Sequence, residues 1–275
     1  MLNFKRWRML IAAVSSTLLV AACGQEAGAR LVITGSSTVA PLATVVAQRF
    51  EAAHPEVKVD VQAGGSSRGI ADVRQGLAEL GMVSRALKPE ESDLAATTIA
   101  QDGIAMIVHR DNAVSALTRE QIIAIYTGGV RNWKDVGGAD APITVVNKAE
   151  GRSTLELFLS HFKLAAPAIR ADVVIGDNQQ GIKTVAGNPQ AIGYVSIGTA
   201  EFEVEHGTPV RLLPLGGVAP TTASVAAGSF PLSRPLNLVH RGELSAIARE
   251  FLSFAGSVEV RDLVTSQYFV PPARR

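Results

Sequence analysis

The sequence predicts an α/β fold, because units of strand, glycine turn and helix recur along it. In the first unit, an apolar segment at residues 31–34 leads through Gly35 and three hydroxyl residues into a helical pattern. The alternating residues 57–61 begin a second unit of the same kind. The chain has 275 residues, 47% of them hydrophobic, which is enough for one large domain or for two lobes with separate cores.

The amino-terminal segment, residues 1–23, has the pattern of a secretory signal. Lys5, Arg6 and Arg8 precede an apolar run that is too short for a comfortable membrane span. The small residues before Cys23, the single cysteine, resemble a lipoprotein signal-peptidase site. That resemblance implies that Cys23 becomes the lipidated first residue of an exported protein. The alternative is an ordinary signal followed by a buried free cysteine.

The charge balance argues against nucleic-acid binding. The chain has 26 basic and 25 acidic residues, and removal of the three basic residues in segment 1–23 leaves 23 against 25, a net charge of −2 with neutral histidines. Nucleic-acid binders use a basic excess to contact phosphates, and this protein has none. A bound anion must therefore be held by local dipoles and a few placed cations.

The turn after the first strand contains Ser36, Ser37 and Thr38. These residue types cap helices, and Pro41 suits a first helical turn. A helix start also presents unpaired N–H groups and a partial positive charge, which suit an anion. Capping alone explains a single turn of this kind, but the arrangement recurs, and this favours a shared anion site.

Two further strand ends carry hydroxyl groups. Ser66 and Ser67 lie in the glycine turn at residues 62–69, and Ser84 with Arg85 follows a short strand at residues 79–83. In an open α/β sheet, ligands lie beyond the carboxyl ends of parallel strands. We therefore expect the three turns to face one crevice.

A fourth turn adds positive charge. An apolar strand at residues 143–146 leads to a turn that contains Lys148, Gly151, Arg152, Ser153 and Thr154, and a helical pattern follows. A cap needs one hydroxyl, whereas this turn has two hydroxyls and two cations. Charge-assisted hydrogen bonds are about twice as strong as neutral ones, so the turn suits a small oxyanion.

The rest of the chain predicts further strands and helices. Residues 104–108 form an apolar run typical of a buried strand, and Thr118 with Gln121 forms a capping box before a short helix. Pro231 and Pro235 restrict an extended segment, as a connection between lobes requires. Other strands are predicted at residues 173–175, 192–195, 210–213 and 230–240, and two packed helices at 243–254 and 258–264.

Five motifs together resemble those of the phosphate-binding proteins of bacterial phosphate ABC transporters, over nearly the whole chain after the signal segment. They are residues 35–38, 64–67, 84–85, 151–154 and 231–235. The resemblance implies a two-lobed type II periplasmic-binding-protein fold with a ligand cleft between the lobes. Residues 24–110 with 231–275 would form lobe 1, and residues 111–230 would form lobe 2.

The same resemblance implies a non-enzymatic solute-binding lipoprotein of the periplasm or cell envelope, held at the membrane by its lipid anchor. Such a protein binds inorganic phosphate and delivers it to the membrane permease of an ABC transporter. We expect a monomer that uses no cofactor, no metal and no nucleic-acid partner.

The resemblance also implies a set of phosphate-binding residues in the four turns. They are Ser36, Ser37, Thr38, Ser66, Ser67, Ser84, Arg85, Lys148, Gly151, Arg152, Ser153 and Thr154. The family motif in the second lobe reads as a basic residue, two variable residues and Gly-Ser-Gly-Thr, and here Arg152 and Ser153 replace the usual Ser-Gly pair. On this resemblance Lys148 takes the basic position, Gly151 the first glycine and Thr154 the threonine. Lysine is a point charge rather than a bidentate fork, and the arginine in the turn would supply the missing donors.

One departure from the family pattern concerns selectivity. In some family members an aspartate follows the serine at the third strand end and accepts the proton of monohydrogen phosphate, whereas Arg85 stands there in this chain. A site without that carboxylate is expected to reject sulfate less strongly. Glu150, the nearest acid in the fourth turn, is a candidate for the acceptor role.

Two other functions are compatible with the sequence. Residues 65–69 match the G-x-S-x-G nucleophile elbow of serine hydrolases and lie between a strand and a helix, although that elbow normally follows several earlier strands. The second alternative keeps the same fold in an anion-binding signalling or adhesion lipoprotein, because fold alone does not define function.

Overall fold

The structure is a computed structural model that describes residues 29–272, so the signal segment and Cys23 lie outside the described residues. The strands are β1 Ala29–Gly35, β2 Val57–Ala63, β3 Leu80–Val83, β4 Ala95–His109, β5 Thr144–Lys148, β6 Val173–Ile175, β7 Ala191–Ser196, β8 Val210–Leu213 and β9 Ser233–His240. The helices are α1 Ala40–Ala53, α2 Ser66–Arg74, α3 Arg119–Thr127, α4 Ser153–Phe162, α5 Asn178–Ala186, α6 Ile197–Glu205, α7 Thr222–Ala226, α8 Ala246–Ala255 and α9 Arg261–Ser266.

A mixed sheet runs through the described part of the protein in the order β2-β1-β3-β9-β4-β7-β5-β6, with β8 paired to β4. Strand β1 is parallel to β2 and β3, and β5 is parallel to β6 and β7. Strands β4 and β9 are antiparallel to their neighbours. The parallel groups are the predicted strand, turn and helix units, so the α/β prediction is confirmed.

The long strand β4 divides the described residues into two lobes. Its residues 95–103 pair with β9, whereas its residues 104–109 pair with β7 and β8. The first lobe contains β1, β2, β3 and β9 with α1, α2, α8 and α9, and the second lobe contains β5 to β8 with α3 to α7. The chain crosses between the lobes within β4 and again where β9 begins.

The crossing in β4 lies earlier than the sequence predicts. The backbone N–H of Ile104 donates to Leu232 O at 3.0 Å, and Gly103 pairs with Ser233. Residues 104–110 therefore belong to the second lobe, and the predicted boundary at residue 110 must be moved. The apolar run at 104–108 forms the buried strand that was predicted, but an apolar run does not reveal which of two cores it enters.

Each lobe has its own hydrophobic core. Phe50 and Phe251 are fully buried in the first lobe, where the carboxy-terminal helices α8 and α9 pack beside α1. Trp133 and Phe158 are fully buried in the second lobe, and Phe158 stacks on Tyr194 with ring centroids 4.1 Å apart. Two cores of this size allow each lobe to move as a packed unit.

Local signals explain which elements were predicted. The capping box is confirmed, because Gln121 N donates to Thr118 Oγ1 at 3.2 Å and Thr118 N donates to Gln121 Oε1 at 2.8 Å. Helices α6 and α7 were not predicted, since Gly198 lies in the first turn of α6 and α7 is only 5 residues long. Among residues 29–272, no helix is both long and apolar enough to cross a membrane.

Candidate functional site

The turns that follow β1, β2 and β3 meet at one edge of the sheet, as the sequence predicts. Gly35 O accepts hydrogen bonds from Gly64 N at 2.7 Å and Gly65 N at 2.8 Å, and Ser36 N donates to Met82 O at 2.8 Å. Gly35 has φ of +131°, and a Cβ there would collide with Met82 O. Only glycine permits both the conformation and the close approach, so this residue brings the three turns together.

Three buried serines in these turns form a connected group. Ser36 Oγ donates to Ser84 Oγ at 2.9 Å and accepts from Thr38 N at 3.2 Å and Val39 N at 3.4 Å. Ser84 N donates to Ser66 Oγ at 3.2 Å. Ser36 therefore orders the turn that precedes α1, and the hydroxyl of Thr38 is left for other partners. These serines and Thr38 are each at most 4% exposed.

Arg234 joins the two lobes at this point. It lies near the start of β9, and its guanidinium Nη1 donates to Thr154 Oγ1 at 3.0 Å and to Ser84 Oγ at 3.3 Å. Its Nη2 donates to Thr38 Oγ1 at 3.3 Å. Asp102 Oδ2 accepts from Nε at 3.1 Å and from Nη2 at 2.8 Å. One buried cation thus contacts hydroxyls of both lobes.

The second lobe contributes Lys148 at the end of β5 and Asn178 at the start of α5. Lys148 Nζ donates to Asn178 Oδ1 at 3.1 Å, and Asn178 Nδ2 donates to Thr38 Oγ1 at 3.3 Å across the cleft. Tyr194 fixes the end of β5, because its hydroxyl donates to Asn147 Oδ1 at 2.6 Å. The polar contacts therefore run without a break from Lys148 to Arg234.

The fourth turn places the start of α4 against this network. Ser153 and Thr154 open the helix and are 2% and 4% exposed. Thr154 Oγ1 contacts Arg234, whereas Ser153 Oγ has no hydrogen-bond partner within residues 29–272. A buried hydroxyl without a partner is costly in a folded protein, so Ser153 is a donor available to a ligand.

The positive charges of the site are not balanced. The pKa of Lys148 falls from 10.5 to about 7, first because the amine is buried and then because of the positive charge of Arg234, while Asp177 opposes the shift and Arg152 adds to it. Asp102 pairs with Arg234, but no carboxylate of the described residues forms an ion pair with Lys148. An anion placed here would supply the missing negative charge.

The hydroxyl groups are oriented to donate. Thr38, Thr154, Ser84 and Ser66 each accept a hydrogen bond from an arginine, amide or backbone N–H. A hydroxyl that already accepts has its own proton free for an oxygen of a ligand. We call the group Ser36, Thr38, Ser66, Ser84, Thr154, Lys148, Asn178 and Arg234 the polar cluster. Its donors and cations suit a small tetrahedral oxyanion.

Other predicted residues lie at the edge of the polar cluster. Ser37 and Arg152 are half-buried and Ser67 is exposed. Ser67 N donates to Gly151 O at 3.3 Å, so these two turns contact each other across the lobes. Within the described chain, Arg152 forms no ion pair. Its positive charge lowers the pKa of Lys148, but by less than burial and the charge of Arg234 do. Arg152 is therefore a nearby cation without a contact to the hydroxyls.

The assignment of Arg85 to the anion site needs a correction. Its Nη1 and Nη2 each donate to Glu91 at 2.7 Å, and its Nε lies 3.0 Å from Glu156 Oε2. The guanidinium thus faces carboxylates on both sides, and within the described residues it donates to no hydroxyl of the polar cluster. The sequence could not reveal this, because the partner Glu156 lies in the other lobe.

Sequence reasoning also missed three residues of the site. Arg234 belongs to the motif at residues 231–235, which contributed to the family resemblance and was the available signal. No sequence motif marked Asp102 or Asn178. Asp102 lies in the part of β4 that was not predicted as a strand, and Asn178 is one of several polar residues at the start of α5. Within the described residues, no group of three or more His, Cys, Asp or Glu side chains is arranged to hold a metal ion.

The structure does not support the hydrolase alternative. The nucleophile of the G-x-S-x-G match would be Ser67, which is exposed and whose Oγ lies 3.5 Å from Glu156 Oε1. A serine nucleophile needs a base within hydrogen-bond reach, usually a histidine. Among residues 29–272, no histidine forms a hydrogen bond with Ser66 or Ser67.

Two α/β lobes with a polar cluster of donors between them define a solute-binding protein of the periplasmic-binding class. The family model described as a PBP superfamily domain matches residues 22–259 of the chain. The phosphate-binding protein PstS of Bacillus subtilis is 30% identical over 254 residues, which cover 90% of this chain and 82% of that protein. The chain belongs to the PstS phosphate-binding protein family.

Solved structures give the same result. One is a Clostridium perfringens structure described as a phosphate ABC transporter substrate-binding protein with bound phosphate. It has a TM-score of 0.82 and 34% identity, and the match covers 89% of this chain and 100% of the Clostridium perfringens chain. An ABC-type phosphate transport receptor from Vibrio cholerae has a TM-score of 0.69 and 32% identity, with 89% and 100% coverage. These relatives are binding proteins, which confirms the prediction that the chain is not an enzyme.

Proposed function

We propose that this protein binds inorganic phosphate between its lobes and delivers it to the membrane permease of an ABC transporter. The observation that carries the proposal is the buried cation Lys148, which has no carboxylate partner among the described residues and lies beside Arg234 and a group of hydroxyl donors. An anion with several oxygens satisfies these groups together. The names of the relatives from Bacillus subtilis and Vibrio cholerae support phosphate as that anion.

The residues proposed to contact phosphate follow from the geometry. Thr38, Ser66, Ser84, Ser153 and Thr154 supply hydroxyl protons, and Lys148 and Arg234 supply charge. Ser36 orients the first turn by accepting from Thr38 N and Val39 N. Ser37, Ser67, Gly151 and Arg152 lie at the edge of the polar cluster and are proposed to contribute to closure around the ligand.

Calorimetric titration tests the proposal. Phosphate should bind at one site per chain, and molybdate, sulfate and methylphosphonate should rank below it. Lys148→Met should abolish measurable phosphate binding, while Lys134→Met, which removes an exposed lysine paired with Asp140 in the same lobe, should bind as the wild type does. Absence of phosphate binding by the folded wild type would refute the function.

We also propose that the protein is a lipoprotein of the periplasm or cell envelope, anchored to its membrane through Cys23, and that it acts as a monomer. One acyl chain binds membranes only marginally, so stable anchoring needs the several chains of a mature lipoprotein. Cys23→Ser should leave the protein unprocessed or release it from the membrane fraction. A serine variant that matures to the same size and stays membrane-bound would rule out lipidation at this residue.

A further inference from the structure

Glu156 forms a contact between the lobes that is separate from the polar cluster. It lies in the first turn of α4, in the second lobe. Its Oε2 is 2.8 Å from Lys88 Nζ and 3.0 Å from Arg85 Nε, and both of these residues belong to the first lobe. Both contacts are ion pairs without hydrogen-bond alignment. One carboxylate of the second lobe thus meets two cations of the first.

The first-lobe side of this contact is rigidly built. Arg85 is 4% exposed and Glu91 is 6% exposed, and both guanidinium Nη atoms donate to Glu91 at 2.7 Å. Lys88 N donates to Glu91 Oε2 at 2.8 Å, which fixes the loop that carries the lysine. Arg85 and Glu91 balance each other, so the charge left over on this side is that of Lys88. Glu156 supplies the matching negative charge.

We propose that Arg85, Lys88 and Glu156 form a lobe latch, which stabilises the closed form and so raises the affinity for phosphate without touching the anion. A ligand held by both lobes binds the closed form, and its apparent affinity falls in proportion to the fraction of molecules that are closed. Opening the cleft separates Glu156 from both cations. The latch therefore acts on the closing equilibrium, and Glu156 is a positioning residue.

The latch can be changed without removing any proposed phosphate donor. Two other contacts across the cleft, Arg234 to Thr154 and Asn178 to Thr38, belong to the polar cluster itself. At its edge, Ser67 N donates to Gly151 O at 3.3 Å, and Ser67 Oγ donates to Glu156 Oε1 at 3.5 Å. Glu156 is half-buried and Lys88 is 43% exposed at its side chain, so substitutions there leave both hydrophobic cores intact. Variants at these two positions therefore isolate closure from direct binding.

A double-mutant cycle tests the latch. Phosphate affinity is measured by calorimetry for the wild type, Glu156→Gln, Lys88→Met and the double variant, with melting curves to verify folding. We expect Glu156→Gln to weaken phosphate binding by about 5- to 50-fold, as is typical of residues in one ion-pair network. Lys88→Met should weaken binding in the wild-type background and have little effect once Glu156 is changed, because both act through the same contact.

A control variant and a second measurement complete the test. Glu120→Gln removes an exposed carboxylate of the same lobe that has no ion pair among the described residues, and it should bind phosphate as the wild type does. Ligand-free small-angle scattering should give a larger radius for Glu156→Gln than for the wild type.

The calorimetric test of the latch rests on the phosphate binding proposed above, whereas the scattering test does not. A wild type that fails to bind phosphate refutes the function, and scattering still tests the latch. The latch is refuted if Glu156→Gln has the affinity and the ligand-free radius of the wild type, or if Lys88→Met has the same effect in both backgrounds.

Discussion

Arg234 and Asp102 face each other across the antiparallel strands β9 and β4, where both strands pass from one lobe to the other. The Nη2–Oδ2 distance is 2.8 Å, and the two side chains are 0% and 1% exposed. Asp102 Oδ1 also accepts from Gly198 N at 3.3 Å, at the start of α6. The carboxylate thus holds the guanidinium at the crossing, from which it reaches Thr38 in one lobe and Thr154 in the other.

The first prediction concerns this pair. Arg234→Met should abolish phosphate binding and lower the free energy of unfolding by about 3–5 kcal/mol, because it leaves the buried Asp102 without a counter-charge. Urea unfolding without ligand and calorimetry with phosphate measure the two effects. Arg30→Met, which breaks an exposed ion pair with Asp60, is the matched control and should change neither affinity nor stability appreciably. A stable Arg234→Met protein with unchanged affinity would contradict this account.

The residues of the site that could be predicted are those marked by a pattern of neighbouring residues in the sequence. Ser36, Thr38 and Ser66 are recognisable because each lies in a glycine turn after a strand, and Ser84 because it directly follows a strand. The structure joins all four. The Arg234–Asp102 pair spans 132 positions of the chain, so no local pattern identifies it. Such pairs depend on which strands become neighbours, and periodicity carries no information on strand order.

The second prediction tests the hydroxyl donors. Thr38→Ala and Thr154→Ala should each weaken phosphate binding by about 1.5–3 kcal/mol, the usual value of a hydrogen bond to a charged group. Thr38→Ser and Thr154→Ser keep the hydroxyl and should retain most of the affinity. Because α1 has no side-chain cap and Ser36 holds the turn before it, Thr38→Ala should not cost the stability of a lost cap. Equal calorimetric affinities for the alanine and serine variants would remove these hydroxyls from the site.

The third prediction concerns pH. The pKa of Lys148 is lowered to about 7 by burial and then by Arg234, and a bound anion should raise it again. The contribution of Lys148 to binding is then fully present below pH 7 and is lost as the pH rises through the pKa of the complex. Phosphate affinity should fall above pH 7, by at most about tenfold per pH unit from this group.

The matched control for that experiment is Lys148→Arg. Arginine stays protonated over the whole range, so its variant retains only the pH dependence that comes from phosphate itself and from other groups. The ratio of the two affinities between pH 6 and pH 9 isolates Lys148. A constant ratio would show that Lys148 does not change its protonation when phosphate binds.

The same distinction between local and long-range information applies to the fold. Residues 173–175 and 210–213 are strands with the predicted bounds. The first is an apolar run between Asp172 and Gly176, and the second lies between Pro209 and Pro214, so local residues mark both ends of each strand. The lobe boundary in β4 was placed too late, since the strand is continuous and its two halves differ only in their pairing partners. Arg85 shows the same limit, because Glu156, whose Oε2 lies 3.0 Å from Arg85 Nε, belongs to the other lobe.

The last prediction concerns selectivity between phosphate and sulfate. The hypothesis from the sequence gives Glu150 the role of proton acceptor for monohydrogen phosphate. In the structure Glu150 is exposed, and it forms no hydrogen bond or ion pair within residues 29–272. The carboxylate next to the polar cluster is instead that of Asp102, and its Oδ2 already accepts two hydrogen bonds from Arg234.

We therefore expect Glu150→Gln to leave the ratio of phosphate to sulfate affinity unchanged in calorimetric titrations with both anions. A carboxylate that repels fully ionised sulfate must lie in contact with the bound anion, and an exposed side chain is screened by water. Glu120→Gln provides the matched control for the loss of one exposed charge. A gain of sulfate binding relative to phosphate in Glu150→Gln alone would restore Glu150 as the acceptor and would require the fourth turn to move when the anion binds.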